Sequence, residues 1–137
     1  MEKPTVKVGI VGSRSITFSE YVFSVLDFYL ARLLEENEVV IVSGDQKKGV
    51  DGYAKTYTEE RGLKYIGFPP RYDLYHVKRA PLERNTEIVN ESDYLIAIQE
   101  NNSRGTQDSI DKAKKKNIPI KIIKYDIWLL RKKLKIN

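Results

Sequence analysis

Five short apolar runs, at residues 7–11, 39–43, 64–68, 94–99 and 120–124, alternate along the chain with longer segments whose apolar residues recur at helical spacing. No other feature constrains the fold as strongly. Parallel strands can be joined only through crossovers of a dozen or more residues, and a helix is the usual crossover. Several of the runs, such as "VVIV" and "YLIAI", are almost continuously apolar, which is how strands covered on both faces read. The expected fold is therefore an α/β three-layer sandwich, with a five-stranded, mainly parallel sheet between helices. At 137 residues the chain has the length of a single domain.

The helical segments carry their own punctuation. Thr17 followed by Glu20 fits a capping box, and Val22, Leu26, Tyr29, Leu30 and Leu33 then share one helical face. A second helix is expected over 50–61, with Val50, Tyr53, Ala54 and Tyr57 inward and Gly62 as its stop. A third is expected over 82–91 and a fourth over 105–116, ended by Asn117 and Pro119. Asp126 is placed to cap a short C-terminal helical extension within 125–137, carrying Ile127, Trp128, Leu129 and Leu130.

Composition removes several chemistries. There is no cysteine and only one histidine, His76, so neither a thiolate nucleophile nor a zinc cluster is expected, and no metal or cofactor is called for. The N-terminal residues lack a signal-peptide pattern and no apolar stretch approaches the ~20 residues that span a bilayer, so no membrane partner and a cytoplasmic location are expected. The net charge of +5 suits an anionic partner, but much of the excess lies between Lys112 and Lys135 and reads more readily as a solvated face than as a nucleic-acid groove.

In open parallel sheets, ligands bind at the carboxyl ends of the strands. The first strand runs into "GSRS": Gly12 permits a tight turn, Ser13 offers a hydroxyl and Arg14 a fork of donors, beside the free N–H groups expected of the next helix. A phosphate fits there, as does a plain turn with an exposed arginine. The second strand ends "SGDQKKGVDG", in which Gly44 and Gly49 have P-loop spacing, but Val50 and Asp51 stand where that motif needs Lys and Ser/Thr. Asp51 either complements the helix dipole or accepts a hydrogen bond from a ribose hydroxyl. The third connection is long, with Arg71, Tyr72 and Tyr75 able to wall a base or meet a second subunit, and Arg84 and Asn85 follow in a helical segment. The fourth loop reads "NNSRGT": Gly105 allows close backbone approach, Ser103 and Thr106 add hydroxyls, and another helix begins. Two helix N-termini, after Gly12 and after Gly105, are thus expected to face one cleft.

These residues carry a resemblance. Gly12-Ser13-Arg14, Val42-Ser43-Gly44 with Gly49-Val50-Asp51, Arg84-Asn85, Ser92-Asp93 and Ser103-Arg104-Gly105-Thr106 occur in the order seen in the SLOG superfamily, the Rossmann-like domain of DprA and the LOG phosphoribohydrolases. The chain looks most like the small stand-alone members related to YspA and YpsA, over roughly residues 6–124. The resemblance implies a Rossmann-like sheet, one nucleotide-binding domain over 1–137, a homodimer, and a nucleotide-type ligand lying across the Gly12, Gly44 and Gly105 loops. It also implies a role for Arg84 at the position of the LOG arginine, and places Asp108 where those enzymes have the glutamate that helps cleave an N-glycosidic bond.

Three functions follow as expectations. The first is binding of a nucleoside monophosphate or an ADP-ribose-like compound, as sensor or carrier. The second is a nucleotide N-glycosidase using Arg84 and Asp108. The third is DprA-like binding of nucleic acid, favoured by the positive charge and Lys114 to Lys116.

Overall fold

A computed structural model describes residues 2–126. The element order is β1 (Thr5–Gly12), α1 (Ser19–Glu36), β2 (Glu38–Ser43), α2 (Gly49–Glu60), β3 (Lys64–Gly67), α3 (Ala80–Glu91), β4 (Tyr94–Glu100), α4 (Arg104–Lys116) and β5 (Ile120–Tyr125). All neighbouring strands are parallel, in the order β3-β2-β1-β4-β5. The five strands and four helices anticipated from the apolar pattern are all present. The expected helical extension with Ile127 to Leu130 lies outside the described residues.

Side-chain alternation explains the unbroken apolar runs. Val8 and Ile10 of β1, Val39 and Ile41 of β2, and Ile96 and Ile98 of β4 point to one face, where they meet Val22, Leu26 and Leu30 of α1 and Val50, Ala54 and Tyr57 of α2. Val11, Val42, Leu95 and Ala97 point to the other, against Ile88 and Val89 of α3 and Ile110 and Ala113 of α4. Both faces are therefore apolar because both are roofed. With α1 and α2 on one side and α3 and α4 on the other, the chain reverses direction across the sheet between β1 and β4. That reversal opens a crevice at the carboxyl edge.

All four helix starts differ from expectation, those of α2 and α4 by a single residue. The capping box does not form: α1 starts at Ser19 after Phe18, no side chain caps it, and Glu20 is exposed. Ile16 is fully buried and Phe18 packs on the core, so anchoring of this segment sets where the helix begins, and the first turn closes from the Val22 N–H to the Phe18 carbonyl. Helix α3 starts two residues early, at Ala80, because Pro81 suits a first turn and Ala80 is buried. Helix α4 begins at Arg104 and ends as expected, with Asn117 left-handed at φ 61° and Pro119 beyond it.

Candidate functional site

At the β1/β4 reversal lies a cavity of about 320 Å³, lined by the β1–α1 loop, the start of α2, one face of α3 and the start of α4. Of the residues singled out from the sequence, Gly12, Ser13, Arg14, Asp51, Arg84, Asn85, Ser103, Gly105 and Thr106 line it. Ser43, Gly44, Gly49, Arg104 and Asp108 do not.

Ser13 is the hub of the first loop. Its N–H donates to the Ile98 carbonyl (3.1 Å), and its own carbonyl accepts from the N–H groups of Ile16 and Val50. Its buried hydroxyl accepts from the Glu100 N–H (2.9 Å) and lies 2.7 Å from the Ser103 hydroxyl. The Ser103 hydroxyl in turn donates to Thr106 Oγ1 at 3.0 Å. Since Ser103 has one proton to give, Ser13 must donate to Ser103. The Thr106 proton is then the one this relay leaves unused, on a buried residue that lines the cavity. Arg14, beside Ser13, is exposed and forms no ion pair or hydrogen bond among the described residues.

Arg84 occupies the opposite wall and is committed. One guanidinium nitrogen donates to the Gly44 carbonyl (2.9 Å), Nε donates to Asn85 Oδ1 (3.1 Å), and Asp51 lies 4.0 Å away with its side chain 11% exposed. Asn85, also buried, passes the chain on: its amide donates to Asp108 Oδ2 (3.1 Å) and to the Gly105 carbonyl (3.3 Å). Lys112 closes it, with Nζ 2.9 Å from the same Asp108 oxygen. Asp108 is thereby held between α3 and α4, outside the cavity lining. Arg84 and Asp108 share Asn85 as a partner but do not meet across the cavity.

Asp51 reaches the cavity floor from the first turn of α2. Burial pushes its carboxyl up to about 6, against the opposing pull of Arg84, the Gln46 backbone, Ser43 and Arg14. Burial also holds the Arg84 guanidinium below its usual range, partly offset by Asp51. The Ser43 hydroxyl lies deep beside Asp51 and Tyr65, close enough to bias both yet without hydrogen-bond geometry to either. Asp45, which extends the Gly44 turn, is left-handed at φ 57° and turns to the outer side, accepting from the Tyr65 hydroxyl (3.2 Å) and Lys55 (3.3 Å).

Two expectations about the cleft need correction. The N-terminus of α1 does not line it, because Ile16 dives into the core and carries the helix start away; α2 supplies the second helix start instead, through Asp51. The long β3–α3 connection uses its polar groups internally, with Arg71 bidentate to Asp73 (2.9 and 2.8 Å) and Arg79 over the Tyr75 ring (5.4 Å). Tyr72 is 57% exposed and outside the lining. Gln46, Pro81, Leu82, Ile88 and Ser109 also line the cavity and were not singled out beforehand. Ser109 had a usable signal, being four residues beyond Gly105 on the same helical face.

Among the described residues no helix is long and apolar enough to cross a membrane, and no acidic or histidine group could hold a metal ion.

Residues 6–75 match the YspA, cpYpsA-related SLOG family. The fold is similar to that of DNA processing protein A (DprA) from Streptococcus pneumoniae, with TM-score 0.68 and 22% identity over 91% of this chain and 52% of that one. It is also similar to the molybdenum cofactor binding protein from the phototrophic bacterium Rippkaea orientalis, with TM-score 0.69 and 25% identity over 98% and 83%. DNA processing protein A from Helicobacter pylori gives TM-score 0.59 and 24% identity over 85% and 64%. The chain thus spans about half the length of the pneumococcal protein. No curated protein matches it.

Proposed function

Because the chain belongs to the YspA, cpYpsA-related SLOG family, and because its cavity pairs an unengaged arginine with a helix start, we propose that it binds a nucleotide-derived small molecule as sensor or carrier. The carrying observation is Arg14: it is a cation at the cavity that makes no hydrogen bond or ion pair among the described residues, beside the unused Thr106 proton and the first N–H groups of α4. Those three donors suit a phosphate group. Val11, Pro81, Leu82 and Ile88 line the same cavity with apolar surface, which suits a base. About 320 Å³ is at the small end of ligand pockets, so a mononucleotide fits this reading better than a dinucleotide.

Thermal unfolding with AMP, GMP, CMP, ADP-ribose, NAD and a short single-stranded DNA tests it. A ligand present at ~100 times its Kd adds about 2.7 kcal/mol of stability. The Arg14→Gln variant is expected to unfold near the wild-type temperature without ligand and to lose that shift, since Arg14 makes no hydrogen bond or ion pair among the described residues and is the weakest of the influences on Asp51. No shift with any nucleotide rejects the reading.

Gly105 offers a complementary test. It sits in the first turn of α4, and a β-carbon there would meet nothing within 4 Å. Gly105→Ala is therefore expected to raise stability by up to about 1 kcal/mol through helix propensity. Nucleotide affinity should fall about tenfold, on the order of 1.4 kcal/mol, because the methyl group occupies ligand space. Equal affinity in the two proteins would place the ligand elsewhere.

A second reading, nucleotide N-glycosidase activity, draws on Arg84 and Asp108. Release of free base from AMP by the wild type but not by Asp108→Asn supports it. The engagement of Asp108 by Asn85 and Lys112 argues for binding without turnover. A third, nucleic-acid binding, draws on the likeness to the Helicobacter pylori protein, whose single-stranded DNA binding mode has been described. A shift with DNA alone, weakening steeply with salt, would select it.

A further inference from the structure

The cavity contains an acid where an anion is proposed to bind. Asp51 enters from α2, and every neighbouring element brings a group to face it: Arg84 from α3 at 4.0 Å, Arg14 from the β1–α1 loop, the Ser43 hydroxyl from β2, the Tyr65 phenol from β3 and the Gln46 backbone from the β2–α2 loop. Arg84 pairs with the carboxylate only loosely, at 4.0 Å, while its hydrogen bonds go to the Gly44 carbonyl and Asn85. An ionised Asp51 therefore lies in the lining, 8% exposed and without a bidentate partner, beside the arginine that would hold the ligand.

We propose that anion binding in this cavity is proton-linked, the anion entering together with one proton that resides on the Asp51 carboxyl. The proposal rests on the nucleotide-binding reading and specifies how that site selects its charge. With Asp51 ionised, the two arginines leave the cavity one net positive charge; with Asp51 neutral they leave two, matching a phosphate dianion. The neutral carboxyl also changes from a repelling acceptor into a donor able to hydrogen-bond an anionic oxygen. Burial has already brought the carboxyl to about 6, so the proton is taken up with little cost near neutrality. The proton comes from solvent and no bond other than O–H is formed.

Sulfate is the appropriate probe, since its charge is constant from pH 5 to 8 whereas a phosphate monoester titrates within that range. Calorimetric titration of the wild type, in buffers of different ionisation heat, is expected to show affinity falling up to about tenfold per pH unit above pH 6 and proton uptake approaching one per site. Asp51→Asn is expected to bind sulfate with affinity independent of pH and no proton uptake, and Arg14→Gln to lose binding. If Asp51→Asn does not fold, the wild-type proton count decides alone. Affinity that is flat or rises with pH, or an Asp51→Asn protein that folds and no longer binds, overturns the proton link and leaves the cavity reading standing. Absence of sulfate binding while AMP still shifts the unfolding temperature overturns it as well. Absence of binding by both removes the nucleotide-binding reading itself.

Discussion

Replacing Arg84 with methionine is expected to cost about 3–5 kcal/mol at pH 8, the loss typical of removing one partner from a buried charged pair. The guanidinium holds the Gly44 carbonyl and Asn85 Oδ1 and exerts the largest pull opposing the effect of burial on Asp51. Removing it leaves an acid inside with less to stabilise its charge. The pH dependence identifies the cause. The folded-state carboxyl is raised to about 6 from its ordinary value of 3.8, so the native state holds the proton more tightly than the unfolded chain. Asp51 thus subtracts stability progressively as pH rises from about 4 to 6, and the subtraction is complete above that. Without Arg84 the carboxyl moves higher still. The variant's deficit should be greatest at pH 8 and should shrink as the pH falls toward 4, where the folded Asp51 is neutral in wild type and variant alike and only the two hydrogen bonds are missing. Denaturant unfolding at several pH values measures this, and adding Asp51→Asn to the variant should restore part of the pH 8 loss. A deficit that does not change with pH would mean that Arg84 acts through packing alone.

Gly49→Ala is expected to cost about 2–5 kcal/mol, combining left-handed strain with overpacking. Gly49 has φ +68°, and a β-carbon on it would lie 2.5 Å from Arg14 Cα and 2.6 Å from the Ser13 carbonyl oxygen, both backbone atoms with little room to yield. Gly62 is the internal control: it has φ +64° but nothing within 4 Å of the added carbon, so Gly62→Ala should lose only about 1–2 kcal/mol from strain. Equal losses would show that the contact with the Arg14 backbone is unimportant. Any Gly49→Ala protein that still folds should bind nucleotide weakly, because the displaced atoms belong to the loop that carries Arg14.

The layered sheet was readable because each apolar run is flanked by a segment of different period. Strand and helix periods of 2 and 3.6 are properties of the local chain. The start of α1 was not readable in the same way. Thr17 and Glu20 have capping-box spacing, but burial of Ile16 from a distant part of the fold decides the backbone path. The cavity was partly readable for a topological reason: β–α loops after β1, β2 and β4 must gather at one edge, and this brought Arg14, Asp51 and Thr106 together. What the sequence did not disclose was which donors are already spent. Arg14 and Arg84 look alike in a string of letters, yet one makes no hydrogen bond or ion pair among the described residues and the other is bound to a carbonyl 40 positions earlier. Leu82 reads as the beginning of a helix, and only the placement of α3 over the crevice makes it and Pro81 cavity wall.

The strand order has a consequence for assembly. Residues up to β3 build one contiguous half of the sheet, while β4 must cross to the far side of β1, pairing Tyr94 with Val8. Arg14 and Asp51 belong to the first half, Arg84 and Thr106 to the second, and each half alone is an open surface. A chain severed within the β3–α3 connection would have no pocket in either fragment, and ligand would bind only where the fragments had rejoined. In the intact chain a ligand bound as proposed would clasp the seam formed by the most distant strand pairing, the step with the largest loop to close.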